Sequence, residues 1–141
     1  MLKFHAEQSS NWDFTWPYME PPLPIEVRFP KIRIIDNDPL PEVGVLAGLA
    51  LGLFSQINDT SDNALGKDKI ISCQISMKDM HRRDNFHTDF DTDPDTYKIL
   101  GILNPVWKAE WGGGFKHNDV TYPMLPGDFI VFDPHIGHFA E

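Results

Sequence analysis

His87 and Asp89, followed by His138 at a distance of 49 residues (138 − 89), are the side chains whose types and spacing best suit chemistry. Successive side chains of a β-strand alternate faces, so residues i and i+2 point the same way. His87 and Asp89 can therefore reach one metal ion from a single strand. His138 would complete the set from a strand distant in sequence and adjacent in space. Two imidazoles and one carboxylate bind a divalent transition metal and leave coordination positions open to outside ligands. The spacing alone is weakly specific in a chain with six histidines.

His135 competes with His138 for the third position, three residues earlier and just after Asp133-Pro134. His5, His81 and His117 read as surface or packing residues. Asp89, Asp91, Asp93 and Asp95 alternate as in a calcium loop, but an EF-hand starting at Asp89 needs Gly at position 94 and Glu at position 100. The chain has Pro94 and Leu100 there, so a solvated acidic loop is the simpler reading.

The segment from Asn85 to Ala140 runs Asn-Phe-His-Thr-Asp-Phe, Tyr97-Lys-Ile-Leu-Gly-Ile-Leu-Asn104, Trp107, Trp111-Gly-Gly-Gly-Phe115, Pro126-Gly-Asp-Phe-Ile-Val-Phe132 and Gly137-His138. It resembles the prolyl-4-hydroxylase-like branch of the Fe(II)/2-oxoglutarate-dependent dioxygenase superfamily. The resemblance implies a mainly β fold, a double-stranded β-helix (jelly roll). It implies Fe(II) on His87, Asp89 and His138, with His135 a loop residue or an outer partner of the site. It also implies 2-oxoglutarate as co-substrate, O₂ as oxidant, and hydroxylation of a substrate C–H bond. Halogenating relatives carry a small residue in place of the carboxylate, so Asp89 favours hydroxylation. Tyr97 and Asn104, expected on the strand after the ligand loop, are candidate co-substrate contacts. Trp107 and Trp111 either line the substrate mouth or cap the sheet.

The family pairs the far carboxylate of 2-oxoglutarate with an Arg or Lys about ten residues after the distal His, a contact suited to a guanidinium. This sequence ends at Glu141. Three explanations compete: a truncated chain lacking the last jelly-roll strand, another cation with Lys98 the nearest strand candidate, or loss of co-substrate binding. Truncation is favoured, with Lys98 then a solvent-facing strand residue. An unpaired edge would invite self-association.

With 141 residues the expectation is one domain: an extended arm over 1–24, a supporting strand and helix over 25–68, and a jelly-roll core over 69–141. Val27 to Ile35 reads as a strand interrupted at Pro30. Pro39-Leu-Pro41-Glu42 is a helix start, placing a helix over 41–57. Lys69 to Met77 reads as the first core strand. Gly112 to Gly114 reads as a hairpin tip between Trp111 and Phe115, and Leu125-Pro126-Gly127-Asp128 as a type II turn.

A formal charge of −9 argues against non-specific nucleic-acid binding, which needs Lys and Arg to neutralise phosphates. Arg82-Arg83 is too short to change that balance. The single cysteine, Cys73, excludes an internal disulfide and suits a reducing, cytoplasmic setting. No signal peptide is visible, and the apolar run Val43–Phe54 is too short to span a bilayer. The expected partner is a peptidyl or small-molecule substrate, with neither nucleic acid nor membrane. Two other classes stay open: a zinc hydrolase on the same two His and one Asp, and a non-catalytic jelly-roll binding module.

Overall fold

The β-branched run Ile32, Ile34 and Ile35 builds the first strand, β1 (Lys31–Asp36). The computed structural model describes residues 1–13, 31–61, 69–77, 86–89 and 93–140. The chain forms two units, Met1–Arg82 and Arg83–Glu141, and each has its own core.

In the first unit β1 pairs antiparallel with β2 (Asp38–Pro39) on one side and β3 (Ser72–Ser76) on the other. The register slips between Arg33 and Ile35. This bulge lets Ile34 and Ile35 both turn inward, which strict alternation forbids. The turn from β1 into β2 uses Asn37 at φ 61°, a left-handed conformation that Asn tolerates better than most residues.

Pro41–Val43 then form one 3-10 turn, and α2 runs from Gly44 to Thr60, close to the expected 41–57. Its Leu46, Ala47 and Ala50 pack with Ile32, Ile34 and Ile35. The N-terminus differs from the expected arm. Leu2–Glu7 are helical (α1), with Ala6 buried in the same core and the Trp12 indole donating to the Ala6 carbonyl at 3.0 Å. Residues 14–30, including the Trp- and Pro-rich part of the arm and the start of the expected strand, lie outside the described residues. So do His81 and Arg82-Arg83. The expected boundary at residue 68 is displaced because β3 takes β1 as its partner and so belongs with the first unit. Burial pushes the Cys73 thiol up, which disfavours the nucleophilic thiolate.

The described strands of the second unit all pair antiparallel. β4 (Lys98–Gly101) pairs with β7 (Phe129–Phe132), and β5 (Phe115–His117) lies between β6 (Val120–Tyr122) and β8 (His138–Ala140). Phe115, Met124 and Phe132 form the core with Leu100, Ile102 and Ile130 packed against it. The expected turn is present: the Asp128 N–H donates to the Leu125 carbonyl at 3.0 Å, and Gly127 takes φ 89°.

The glycine run is not a hairpin tip. The tip is Asn118-Asp119, between β5 and β6, with Asn118 at φ 55°. Gly112 and Gly113, at φ 79° and 74°, instead join a 3-10 turn (Ala109–Trp111) to β5. The Trp107 indole donates to the Gly112 carbonyl at 2.9 Å, and its ring would lie 3.2 Å from a Cβ at Gly113. Trp107 therefore braces this bend. The described part of the chain is thus β-rich and antiparallel with one long helix. No described helix is long and apolar enough to cross a membrane.

Two glycine substitutions should move stability in opposite directions. Gly48→Ala, inside α2 with nothing within 4 Å of the added Cβ among the described residues, should stabilise by about 0.5–1 kcal/mol. Gly127→Ala, at positive φ, should cost about 1–2 kcal/mol. Urea unfolding midpoints check both; equal shifts of the same sign would contradict the backbone assignments.

Candidate metal centre

His87 and His138 face each other across two backbone hydrogen bonds. The His87 N–H donates to the His138 carbonyl at 3.0 Å, and the His138 N–H returns to the His87 carbonyl at 2.9 Å. Residues directly opposite in an antiparallel pair project to the same face. The two rings accordingly lie 4.6 Å apart, centroid to centroid. The Asp89 N–H donates to the Pro134 carbonyl at 2.9 Å, so the 87–89 segment lies extended against 134–138. Asp89, two residues from His87, shares its face. The expected ligand strand is therefore a short bridge.

One ligand atom each from His87, Asp89 and His138 lie within 4.8 Å of one another. His138 Nε2 is 3.4 Å from Asp89 Oδ2, and His87 Nε2 is 3.9 Å from Asp89 Oδ1. Ligand atoms bonded to a common ion at about 2.1 Å and at right angles sit roughly 3 Å apart. The His138–Asp89 separation comes near that value, and the cluster as a whole, within 4.8 Å, is wider.

The tautomer of His138 decides what these distances mean. Its Nδ1 lies 2.8 Å from the Ile136 carbonyl, and a carbonyl only accepts, so Nδ1 carries the proton. Nε2 is left as a lone pair aimed at a carboxylate oxygen. Burial, above all, lowers the pKa of His138, outweighing the Ile136 hydrogen bond and the charge of Asp89. Burial favours the neutral ring, and the outer hydrogen bond orients it, as in metal-ligating histidines. Two acceptors facing each other in a part-buried site call for a cation between or beside them. The residues present fit a divalent metal.

The packing around His138 is aromatic. Its ring lies 5.0 Å from Phe132 and 5.9 Å from Phe115, both core residues. A Cβ at Gly137 would come within 2.1 Å of the Phe86 ring, so a larger residue there would displace that ring. This close approach brings the His87 segment up to the His138 segment. His117, read as a packing residue, stacks on Phe115 and contacts the Asp133 carbonyl through Nε2 at 3.1 Å.

His135 is turned elsewhere. Its backbone N–H and its ring Nδ1 both bind Asp133 Oδ1, at 2.9 and 2.8 Å. These bonds, the backbone one first, hold the Asp133 carboxyl below its ordinary range. Of the two competing histidines it is His138 that joins His87 and Asp89.

The remaining candidates divide. Lys98, expected to face solvent, instead pairs its ammonium with Asp89 Oδ2, its side chain 40% exposed against 17% for Asp89. Lys98, Leu100 and Ile102 recur with period two, and Leu100 and Ile102 pack on the core. Lys98 is thus on the inward face of β4, and this period was a signal open to sequence reasoning. Tyr97 precedes β4 rather than lying on it, is 65% exposed and, as the neighbour of Lys98, belongs to the opposite face. Asn104 lies beyond the end of β4. A separate concavity of about 300 Å³ in the first unit is lined chiefly by apolar groups such as Ile35, Leu51, Phe54 and Ile70 and offers no comparable chemistry.

No protein-family model matches the chain, and neither a curated protein nor a solved structure matches it significantly.

Metal titration of single variants separates the two histidines. His138→Ala should lose affinity by roughly a hundredfold or more, exceeding the 10–100-fold typical of outer partners. His135→Ala should stay near the wild type. The reverse order would move the third ligand to His135.

Proposed function

We propose that the second unit belongs to an Fe(II)- and 2-oxoglutarate-dependent oxygenase with a jelly-roll core, which hydroxylates a C–H bond of a peptidyl or small-molecule substrate. The observation that carries the reading is the convergence of His87, Asp89 and His138, with the lone pair of His138 Nε2 directed at Asp89. The sequence pattern around these residues supports it, as do two antiparallel sheets that share a core of Phe115, Met124 and Phe132.

In this reading His87, Asp89 and His138 would hold the metal. Bound together, Fe(II) and 2-oxoglutarate supply the activation of O₂ for C–H oxidation. The chain's own contribution is placement and shielding. The Ile136 carbonyl keeps the proton of His138 on Nδ1, leaving Nε2 to ligate. Phe115 and Phe132 back His138 and exclude water from that side. Asp89, fixed by its N–H to Pro134, presents a carboxylate whose charge offsets part of the metal's. Three protein ligands would leave positions on such an ion open to a co-substrate and O₂.

The test is anaerobic loading of the purified chain with Fe(II) and 2-oxoglutarate, followed by admission of air. Slow formation of succinate without added substrate is expected, and Asp89→Ala should abolish it. Ester or amide hydrolysis with Zn(II), and no succinate with Fe(II), would replace the oxygenase by a zinc hydrolase.

A further inference from the structure

The link from β7 to β8, residues 133–137, touches two of the three metal-site residues through its carbonyls. The Pro134 carbonyl accepts the Asp89 N–H at 2.9 Å. The Ile136 carbonyl lies 2.8 Å from His138 Nδ1. The link is itself a turn that its sequence favours. Asp followed by Pro suits the first two positions of a type I turn, because Pro presets φ at the second. The Ile136 N–H donates back to the Asp133 carbonyl at 3.3 Å, a long bond. A shorter one supports it. Asp133 Oδ1 accepts the His135 N–H at 2.9 Å, the contact two residues on that Asp and Asn make in turns. Pro134 is fully buried, whereas the Asp133 side chain is 42% exposed. The carboxylate therefore serves the turn by its hydrogen bond rather than by filling the core.

We infer that Asp133 is a positioning residue of the metal centre: its side chain fixes the turn whose Pro134 and Ile136 carbonyls hold Asp89 and His138. The inference rests on the metal-site reading above. Two acceptors compete for the one proton of a neutral His138. The Asp89 carboxylate, 3.4 Å from Nε2, draws it to that nitrogen. The Ile136 carbonyl draws it to Nδ1. The hydrogen bond made by one ring nitrogen decides what the other carries. With the turn fixed, Nδ1 takes the proton and Nε2 is free to ligate. With the turn loosened, the Ile136 carbonyl drifts, the proton passes to Nε2, and the ring closes on Asp89 without a metal. The backbone N–H of His135 is the essential donor to Asp133. The His135 ring adds a bond to the same oxygen at 2.8 Å, but the N–H remains when that ring is removed. His117 Nε2, 3.1 Å from the Asp133 carbonyl, steadies the same residue from β5.

The experiment reads two quantities on the full chain. Imidazole nitrogen NMR of the metal-free protein gives the tautomer of His138, and titration with Mn(II), followed by the electron paramagnetic resonance of the free ion, gives the affinity. The wild type should carry the His138 proton on Nδ1. Asp133→Ala should move it toward Nε2 and weaken Mn(II) by roughly tenfold, the low end for outer partners of a metal site. Asp133→Asn keeps an acceptor and drops the charge, so both readouts should stay near the wild type. His135→Ala, which keeps the N–H, should do the same. Asp133→Ser, with a shorter and weaker acceptor, should fall below Asp133→Asn, and this pair carries the test if the Ala variant does not fold. An unchanged tautomer in Asp133→Ala would overturn the inference. So would an Asn variant as damaged as the Ala variant, which would assign the effect to charge, or equal Asn and Ser variants where Ala is unfolded. A wild type that binds no Mn(II) through Asp89 would sink the metal-site reading and the inference with it, and the tautomer readout tells the two failures apart.

Discussion

The pair of backbone hydrogen bonds between His87 and His138 is the constraint on which the site depends. It brings together residues far apart in sequence and fixes which faces of their segments coincide. A slip of one residue would turn one histidine to the other side and dissolve the cluster. The neighbouring structure protects this register. Gly137 admits the Phe86 ring, Asn118 donates its N–H to the Gly137 carbonyl at 2.8 Å, and Asp89 is tied to Pro134. Backbone pairing sets the positions, and packing of His138 on Phe115 and Phe132 then sets the ring.

Electrostatics explains why such a cluster reads as a cation site. A buried imidazole that gives its proton to a carbonyl presents a bare lone pair, and a carboxylate opposite it is also an acceptor. Water would solvate both if the site were open. Here His138 is buried and Asp89 mostly so. Lys98 answers part of the demand through Asp89. A metal would answer it for all three residues.

Much of this was legible in the sequence where local chemistry dictates structure. Pro126-Gly127 specified its turn, and Pro41 marked the entry to the long helix. The His-x-Asp spacing placed two ligands on one face. Other features depend on partners that no local pattern names. The bulge in β1 inverts the alternation expected of Ile34 and Ile35. The hairpin tip falls at Asn118 rather than at the glycines, because Asn tolerates left-handed backbone while the glycines serve the Trp107 bend. Lys98 read as exposed because it is charged, although its period with Leu100 and Ile102 pointed inward. The inference of a jelly roll came from the residue pattern, and the observed sheets establish the coarser antiparallel β architecture.

The most direct test of the central claim is the visible absorption spectrum of the Co(II)-loaded chain. Three protein ligands on one side of an open, six-coordinate ion predict weak absorption, present in the wild type and lost in both Asp89→Ala and His138→Ala. Intense bands of a closed tetrahedral site, or a spectrum unchanged in those variants, would contradict the account.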